Sequence, residues 1–531
     1  MRLGLVCLVV SAFAVVAIWT WLGLPVAMPH TPLAPGEKLY CLSYAPFRDG
    51  QTPFDPAMHI SPEQIDDDLG RLAKITNCVR TYSVELGQDQ VAAIAKRRGL
   101  KVFQGIWLGV NADKNRAEIA TAIRIANAYP DVVRALIVGN EVLLRGDMAA
   151  DDLAATIRAV KAQVKVPVTY ADVWEYWLKN PQVAAATDFV TIHILPYWED
   201  FPIPAAQAAA HVDQIRRRVA AALAGKDVVI GEVGWPSEGR MREGALPSPA
   251  NQARVIQDVL ALAKQDNYRV NVIEAFDQPW KRALEGTVGG YWGLLDARTR
   301  DYKFVWGEAV SNHPHWKRDA AGGVVFVALI FAAAFLARRG AVAPGWWLAI
   351  AANAIAGGAL IGWSVADMPR QSFNAGGWMR AFALTAIALL TPPLLSAAVM
   401  RGVAVPPFWR VIGPKTERTA DPLALACGIL LIATLLLALQ SALGLVFDPR
   451  YRDFPFAPLT AAVVPFVMHR VTVKRAAGRR AAAELAGAVL LALSAPYIAI
   501  NESFANWQSL WLCAVFAALA VILAQARDGQ S

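Results

Sequence analysis

Residues 134–142 read Arg-Ala-Leu-Ile-Val-Gly-Asn-Glu-Val, an apolar run that ends in an amide and a carboxylic acid. Strands of a parallel sheet are covered on both faces, so they read as continuous apolar runs rather than alternating ones. The length of this run and its β-branched residues predict such a strand. Asn140 and Glu141 are then expected at the carboxyl end of a buried strand.

Seven further runs of this kind occur in the same half of the chain. Segments between them carry apolar residues at helical spacing, for example Ile65, Leu69 and Leu72. Eight alternations in about 280 residues predict an α/β fold, a (β/α)8 TIM barrel, with an open doubly wound sheet as the alternative. No GxGxxG loop follows the first run, which argues against a dinucleotide site. The eight runs are residues 39–47, 78–84, 101–107, 134–142, 166–172, 188–194, 227–235 and 269–277.

Composition separates the chain into two halves. Of its 531 residues, 56% are hydrophobic and 18% are charged. An average soluble protein has about 25% charged residues, so a purely soluble fold is excluded. Residues 37–318 carry charge throughout and are predicted to form an extracytoplasmic barrel domain. Residues 319–531 consist mainly of long uncharged runs and are predicted to form an all-α polytopic membrane domain of about seven helices.

The first apolar run, residues 3–24, is long enough to cross the roughly 30 Å hydrocarbon core of a membrane. A signal peptide is the alternative, but Val26-Ala27-Met28 does not resemble a cleavage site. Residues 1–30 are therefore predicted to be a retained transmembrane anchor. The seven further candidate spans are residues 320–337, 346–366, 378–400, 423–447, 456–468, 481–500 and 507–526.

Loop charges predict the orientation of these spans, because Lys and Arg collect on the cytoplasmic side. With a cytoplasmic N-terminus, alternate loops are strongly basic, which accounts for the net charge of +8 without nucleic acid. The barrel is then expected outside the inner (cell) membrane, in the periplasm of a Gram-negative cell, with both chain ends in the cytoplasm. The spans contain almost no ionisable residue, which favours an anchor or scaffold over a transporter. The basic cytoplasmic residues are Arg338, Arg339, Arg401, Arg410, Lys415, Arg418, Arg470, Lys474, Arg475, Arg479 and Arg480.

Two glutamates follow strand-like runs in matching contexts. Residues 229–232, Val-Ile-Gly-Glu, place Glu232 after an apolar run just as Glu141 follows its own. The carboxyl ends of barrel strands carry the active site. Two facing carboxylates are the machinery of glycoside hydrolysis, with retention at about 5–5.5 Å and inversion at about 6.5–9.5 Å. The alternative is that each glutamate pairs with a basic neighbour such as Arg80 or Arg145.

Five segments make this half of the chain resemble a known family. They are residues 79–83, Val-Arg-Thr-Tyr-Ser; 138–142, Val-Gly-Asn-Glu-Val; 193–198, His-Ile-Leu-Pro-Tyr-Trp; 231–237, Gly-Glu-Val-Gly-Trp-Pro-Ser; and 274–281, Glu-Ala-Phe-Asp-Gln-Pro-Trp-Lys. With these motifs, residues 39–316 resemble glycoside hydrolase family 17, the retaining β-1,3-glucanase and glucanosyltransferase family, and most closely its bacterial membrane-bound, β-glucan-modifying members. The resemblance implies that Glu141 is the acid/base, that Glu232 is the nucleophile and that Asn140 bonds the sugar 2-hydroxyl.

The chain departs from the plant-type pattern of that family at two positions. His193 stands where Asn is common, and Gln278 stands where a second acidic residue often follows Asp277. Both changes affect the expected contacts with the sugar. Neither removes a catalytic carboxylate.

Further residues near the predicted strand ends are candidate sugar contacts. Aromatic side chains offer platforms to the apolar faces of pyranose rings, and polar side chains bond hydroxyls. Tyr82 and Tyr197 are also expected to hydrogen-bond the nucleophile, and His193 is expected to be a wall residue. No metal or other cofactor is expected, because two-carboxylate chemistry needs none. The candidate contacts are Tyr44, Arg80, Tyr82, Trp107, Asn111, Asn140, Asp172, His193, Tyr197, Trp198, Trp235, Glu274, Asp277 and Trp280.

Two function classes follow from these features. The first is a membrane-bound enzyme that cleaves or transfers β-1,3-glucan, with β-1,6 links as one product, since hydrolysis and transfer share one glycosyl-enzyme. The second is a non-catalytic glucan-binding or export component, against which the presence of both glutamates argues. Expected partners are β-1,3-glucan or its oligosaccharides, membrane lipid, and a glucan synthase or exporter.

Cys41 and Cys78 open the first two predicted strands. Adjacent strands lie about 4.7–4.9 Å apart, which brings a disulfide within reach, and an oxidising periplasm would permit it. The alternative is a pair of buried free thiols that act as small hydrophobes. The sequence leaves both open.

Overall fold

The computed structural model of the chain describes residues 2–29, 31–473 and 478–527. It divides into two compact units. The barrel unit comprises Val26–Glu238 and Ala245–Val310. The helical unit comprises Met1–Pro25, Gly239–Gly244 and Ser311–Ser531.

Within the described residues, the barrel unit contains eight parallel strands that close into a barrel in chain order. The first strand pairs with the last, Cys41 opposite Asn271, which completes the ring. This confirms the predicted (β/α)8 barrel and excludes the open sheet, whose edge strands would be unpaired. The strands are β1 (Cys41–Ser43), β2 (Cys78–Arg80), β3 (Lys101–Ile106), β4 (Val133–Asn140), β5 (Val168–Val173), β6 (Val190–His193), β7 (Val228–Val233) and β8 (Arg269–Val272).

Nineteen α-helices accompany the strands in the part of the chain that the structure describes. Helices α2 to α11 belong to the barrel unit, and the others form the helical unit. They are α1 (Arg2–Leu22), α2 (Pro62–Leu72), α3 (Val91–Arg98), α4 (Ala112–Ala128), α5 (Val142–Arg145), α6 (Ala150–Lys161), α7 (Trp174–Lys179), α8 (Pro181–Ala186), α9 (Ala205–Ala222), α10 (Pro249–Gln265), α11 (Arg282–Gly289), α12 (Trp316–Ala337), α13 (Pro344–Gln371), α14 (Ala375–Arg401), α15 (Trp409–Ile412), α16 (Pro422–Phe447), α17 (Phe456–Thr472), α18 (Ala482–Asn501) and α19 (Trp507–Ala524).

Helix α2 shows how the sequence sets the outer layer of the barrel. Ser61 Oγ accepts a hydrogen bond from the Gln64 backbone N–H at 3.2 Å, which caps the first turn. The predicted apolar stripe, Ile65, Leu69 and Leu72, is fully buried in the barrel core. Each such side chain contributes roughly 1.5–3 kcal/mol by leaving water.

Register shifts near the carboxyl ends of three strands aim the functional side chains. The pairing shifts after Ile137 in β4, after Ile192 in β6 and after Ile230 in β7. Such irregularities are frequent beside active sites because they redirect side chains. Here they place His193 of β6 opposite Glu232 of β7.

Cys41 and Cys78 form a disulfide between β1 and β2, with their Cα atoms 4.4 Å apart. Both residues lie in an apolar cluster with Phe103, Ile137 and Ala171. Of the two alternatives left open by the sequence, the structure therefore has the disulfide.

Seven helices of the described residues are long and apolar enough to cross a membrane, judged by length and composition. Helix α17 has 17 residues, which span about 26 Å at roughly 1.5 Å per residue, and it covers the short span predicted at residues 456–468. The number of spans and their orientation stay predictions. Lys474 and Arg475 lie outside the described residues. The seven helices are α1, α12, α13, α14, α16, α18 and α19.

Small residues let three helices of the helical unit approach closely. A Cβ added to Gly323 of α12 would lie 2.3 Å from the Gly358 carbonyl oxygen of α13 and 2.7 Å from a methyl of Val15 in α1. Close backbone approach through Gly and Ala is the usual packing mode of helices in lipid.

Candidate active site

Glu141 and Glu232 face each other at the carboxyl end of the barrel. Glu141 directly follows β4, and Glu232 lies in β7. One oxygen of each carboxylate and a ring nitrogen of His193 all lie within 4.8 Å of one another. This separation is near the roughly 5–5.5 Å typical of retaining glycosidases and well below the roughly 6.5–9.5 Å of inverting ones. The geometry suits a retaining pair.

Glu232 is buried and receives two hydrogen bonds. Arg80 Nη1 and the Tyr82 hydroxyl each donate to Glu232 Oε1 at 2.8 Å. Burial acts to raise the pKa of Glu232, but His193, Arg80, Lys281 and the Tyr82 hydrogen bond together hold that pKa below its ordinary value. The carboxylate is therefore ionised near neutral pH, as a nucleophile must be. The predicted hydrogen bond from Tyr82 is present.

Arg80 joins the two strands that carry the glutamates. It is 1% exposed. Its Nη2 donates a hydrogen bond to Asn140 Oδ1, and its Nη1 donates one to Glu232 Oε1. The ion pair between Arg80 and Glu232, which the sequence offered as a structural alternative to catalysis, is thus present. It is compatible with catalysis because it keeps Glu232 charged. Arg145 instead pairs with Asp147 at 2.7 Å.

Glu141 is the more accessible of the two carboxylates, with 23% of its side chain exposed. Its backbone adopts the left-handed conformation, φ 54 and ψ 33, and its N–H donates to the Ala171 carbonyl at 2.8 Å. His193 Nδ1 lies 2.7 Å from Glu141 Oε1. Partial exposure allows this carboxyl to meet a glycosidic oxygen and then water, as a general acid/base requires.

Glu274 and Lys281 form a buried pair beside the nucleophile. Lys281 Nζ donates to Glu274 Oε1 at 2.9 Å. Burial raises the pKa of Glu274 to about 7, although Lys281 acts to lower it. Lys281 also lowers the pKa of Glu232 by its charge. Lys281 ends the sequence motif at residues 274–281, but the sequence predicted no role for it.

Asp172 and Asp277 are buried and bonded within the protein. Asp172 accepts from the Tyr170 hydroxyl and has its pKa raised by burial to about 6. Asp277 accepts from Lys303 Nζ at 2.6 Å, and burial raises its pKa to about 7. Each carboxyl therefore has partners before any sugar arrives, and a direct sugar contact by either stays a prediction.

Three of the predicted aromatic contacts, Tyr44, Tyr197 and Trp235, are fully buried. The Tyr44 hydroxyl donates to Asp68 Oδ2 at 3.1 Å, and Trp235 Nε1 donates to the Leu246 carbonyl at 3.0 Å. Tyr197 packs against Trp235 with their ring centroids 6.0 Å apart. In this arrangement the three rings support the wall of the site.

The aromatic rings open to a ligand are Trp107, Trp198 and Trp280. Trp107 is 42% exposed, and the Arg145 guanidinium lies 4.3 Å from its ring centroid. Trp198 is half-buried and stacks on Trp292 with an interplanar angle of 14°. Trp280 is half-buried as well. These three rings are the better candidates for sugar platforms.

Asn111 serves the fold locally. Its Oδ1 accepts from the backbone N–H groups of Asp113 and Lys114 at 3.0 and 3.1 Å, which caps α4. Its side chain is exposed. Its predicted role as a sugar contact is untested by this geometry.

Sequence reasoning missed Glu118, which lies in α4 and is 2% exposed. Its carboxylate accepts from the backbone N–H groups of Val84 and Trp107, each at 3.2 Å, and so ties the loops after β2 and β3 together. Burial raises its pKa to about 7. The signal was present in the helical spacing, because Glu118 shares the buried face with Ala122 and Ile125.

The cluster of Glu141, His193 and Glu232 is compact enough to resemble a metal site. Its charge environment opposes that use. Arg80 and Tyr82 already donate to the Glu232 oxygen that would face an ion, and a guanidinium at 2.8 Å repels a cation. The arrangement fits proton transfer better than metal binding.

Comparisons with known proteins find matches to the barrel half of the chain. Residues 41–293 match the family model described as the BtgE/BtgC glycoside hydrolase domain. The chain is 27% identical over 263 residues to the probable family 17 glucosidase SCW10 of Saccharomyces cerevisiae, covering 48% of this chain and 64% of that protein. It is 27% identical over 301 residues to the probable glucan endo-1,3-beta-glucosidase btgC of Aspergillus clavatus, covering 51% of this chain and 41% of that protein.

Among solved structures, the chain is similar to the glycoside hydrolase family 17 beta-1,3-glucanosyltransferase from Rhizomucor miehei. The sequence identity is 30%, the match covers 50% of this chain and 95% of that chain, and the TM-score is 0.45. An active-site mutant of the same enzyme is solved in complex with laminaritriose. The chain spans less than two thirds of the length of the two curated relatives named above.

Proposed function

Because this chain belongs to glycoside hydrolase family 17 through its barrel, we propose that it is a retaining enzyme acting on β-1,3-glucan. The observation that carries the proposal is the facing pair of Glu141 and Glu232, bridged by His193. A glucan-binding protein without catalysis would need neither a charged nucleophile nor an accessible proton donor. The lowered pKa of Glu232 and the partial exposure of Glu141 support the catalytic alternative.

The proposed reaction has two steps. In the first, the Glu232 carboxylate attacks the anomeric carbon while Glu141 protonates the departing glycosidic oxygen, which leaves a glycosyl-enzyme ester. In the second, Glu141 removes a proton from an incoming hydroxyl, whose oxygen displaces Glu232. Asn140, whose Oδ1 accepts a hydrogen bond from Arg80, precedes Glu141 in the chain and is proposed to bond the sugar 2-hydroxyl.

Whether the reaction ends in hydrolysis or transfer depends on which molecule accepts the glycosyl group in the second step. Water gives an endo-1,3-β-glucanase, and a sugar hydroxyl gives a glucanosyltransferase that elongates, cyclises or adds β-1,6 branches to glucan. The residues are the same in both cases. The relatives include proteins named for each outcome.

We also propose that the long apolar helices hold the enzyme in the inner (cell) membrane. Seven helices of the described residues have the required length and composition, and the loop charges favour a barrel on the periplasmic side. In that position the barrel would meet glucan delivered by a synthase or exporter. Membrane lipid would surround the helical unit.

The direct test incubates the full chain, solubilised in detergent, with laminari-oligosaccharides of one length. Products are analysed by mass spectrometry and linkage analysis, with Glu232→Gln as the matched control. Shorter products alone indicate hydrolysis, and longer or β-1,6-linked products indicate transfer. Unchanged substrate with folded wild-type protein would contradict the proposed function.

A further inference from the structure

His193 occupies a position that two-carboxylate chemistry does not require. It is fully buried at the end of β6, with Nδ1 2.7 Å from Glu141 Oε1 and Nε2 3.6 Å from Glu232 Oε1. One imidazole therefore bridges the acid/base and the nucleophile. Ordinary retaining catalysis needs only the two carboxyl groups, so the bridge calls for a separate explanation.

The ring is held in place by its neighbours. A Cβ added to Gly231 would lie 2.4 Å from Thr191 Cγ2 and 3.2 Å from His193 Cδ2, so β7 packs closely against β6 beside the ring. Pairing of β6 with β7 places His193 directly opposite Glu232. Among the described residues, His193 Nε2 has no hydrogen-bond partner within bonding distance, and Glu232 Oε1 is the carboxylate that it faces.

This placement determines where protons can lie. A proton on Nε2 is attracted by the Glu232 carboxylate, which leaves Nδ1 as the acceptor of a second proton shared with Glu141. The pair of Glu141 and His193 carries the same total charge whether this second proton lies on the carboxyl group or on the imidazole. The proton used in catalysis therefore belongs to the pair.

We propose that Glu141 and His193 hold the catalytic proton jointly, with His193 acting as a positioning residue that couples the charge of Glu232 to the protonation of Glu141. The proposal rests on the proposed function and deepens it. Two bases that share a proton release it at a higher pH than a lone glutamate does. The acid form of the site then persists to higher pH.

The proton balance closes over both steps. In glycosylation the shared proton passes through Glu141 to the leaving oxygen as Glu232 forms its bond to the anomeric carbon and loses its charge. Glu141 is then a carboxylate that faces the Nδ1 lone pair of His193 at hydrogen-bond distance. The repulsion between these two acceptors makes Glu141 a stronger base, so it removes the proton of the incoming hydroxyl, and the ester bond to Glu232 breaks.

The charged groups around His193 act on its protonation in two opposite directions. Asp172, on the neighbouring strand β5, adds a third carboxyl whose pKa responds to the charge of His193. The carboxylates favour proton retention by the imidazole, and the cations oppose it from the far side of Glu232. The groups that face this cluster are Glu141, Asp172 and Glu232 among the acids and Arg80 and Lys281 among the bases.

The test compares pH profiles of kcat/KM for the wild type, His193→Asn and His193→Gln in the full chain. On unactivated laminari-oligosaccharide, both variants should lose activity on the alkaline side, with that limb at least about one pH unit lower and roughly tenfold less activity there. On the acid side the limb should move to higher pH, because His193 is among the groups that hold the pKa of Glu232 low. Ile192→Val, in the same strand, is the control and should keep the wild-type profile.

An aryl glycoside with a good leaving group distinguishes a loss of proton transfer from a loss of folding in the variants. It needs little protonation, so the histidine variants should form the glycosyl-enzyme from it at near wild-type rate. Variants that are slower by one factor at every pH on glucan, or that fail on the aryl glycoside as well, would overturn the proposal. Wild-type protein without any activity on glucan would instead contradict the proposed function.

Discussion

At the scale of single residues, Glu141 and Glu232 differ in surroundings in a way that fits their proposed roles. Glu232 is 5% exposed and its pKa is lowered despite its burial, whereas Glu141 has 23% of its side chain exposed. A nucleophile must stay charged, and an acid/base must exchange protons with substrate and solvent. These environments fit the proposed roles of Glu232 as nucleophile and Glu141 as acid/base.

Glu232→Gln should abolish the glycosyl-enzyme, and Glu141→Gln should slow both steps by about 100- to 10,000-fold on glucan. An aryl glycoside with an activated leaving group should restore the first step in the Glu141 variant, because that bond breaks with little protonation. Intact-protein mass spectrometry and initial rates check both statements. Full activity on unactivated glucan in either variant would show that the assignment is wrong.

Tyr82→Phe should move the acid limb of the kcat/KM profile to higher pH by about one unit. The Tyr82 hydroxyl donates to Glu232 at 2.8 Å and lowers the pKa of that carboxyl, and a hydrogen bond to a charged group is worth about 1.5–3 kcal/mol. Without it, Glu232 takes up a proton at a higher pH and attack is lost there. Tyr129→Phe, at the end of α4, is the control; equal profiles for both variants would exclude this role.

The facing pair of carboxylates proposed for catalysis could be predicted from the sequence, and several supporting contacts could not. Each glutamate directly follows an apolar run, so both were visible as strand-end carboxyls. Tyr44 follows its strand in the same way, yet its hydroxyl is bonded to Asp68 of α2, a partner 24 positions away. Side-chain partners that tertiary packing selects leave no local pattern.

At the scale of elements, α4 links two loops of the active-site rim through Glu118. The pKa of that carboxyl is raised by burial from 4.5 to about 7. A raised pKa in the folded state stabilises the fold below the unfolded pKa, and this stabilisation is lost as the pH rises through about 7. The barrel should therefore be less stable in alkaline solution than in acid solution.

Glu118→Gln should weaken the pH dependence of barrel stability between about pH 4.5 and 8. The full effect of the carboxyl is at most about 3 kcal/mol, because one pKa unit corresponds to about 1.4 kcal/mol. Thermal unfolding of the detergent-solubilised chain, followed across this range, measures the slope. The exposed Asp89→Asn is the control, and an unchanged slope in Glu118→Gln would contradict the prediction.

The disulfide between β1 and β2 should stabilise the barrel. It closes a loop with a sequence separation of 37, which the chain-entropy model values at about 3–4 kcal/mol. Each of the variants Cys41→Ser, Cys78→Ser and the double variant should lose about 3–4 kcal/mol of unfolding free energy. Each should therefore unfold at a lower temperature than wild type. If reductant leaves the unfolding of wild type unchanged and two thiols react in the unreduced denatured barrel, the bond is absent.

At the scale of the whole molecule, the chain combines a (β/α)8 barrel with a unit of long apolar helices. The barrel could be predicted from eight apolar runs with helical segments between them, but the pairing of the first strand with the last, which excludes the open sheet, is seen only in the structure. The number of membrane spans is harder to predict. Helix α17, with 17 residues and Pro465 inside it, lies near the shortest length that crosses a bilayer.

We expect eight spans with both chain ends in the cytoplasm. A reporter that is active only in the cytoplasm, fused after Ser531, should therefore be active, and a periplasmic reporter at the same place should be silent. A second fusion in the loop before α17 should give the opposite pattern. A silent cytoplasmic reporter after Ser531 would mean seven spans or an inverted orientation.

The left-handed backbone of Glu141 has a consequence for how this protein can change over generations. At φ 54 and ψ 33, glycine is at ease, whereas a residue with a Cβ costs about 1–2 kcal/mol. Glu141→Gly would thus relieve the fold while removing the proton donor. Folding and the proposed chemistry therefore make opposite demands at this position, so a glutamate is retained here only under selection for the proposed activity.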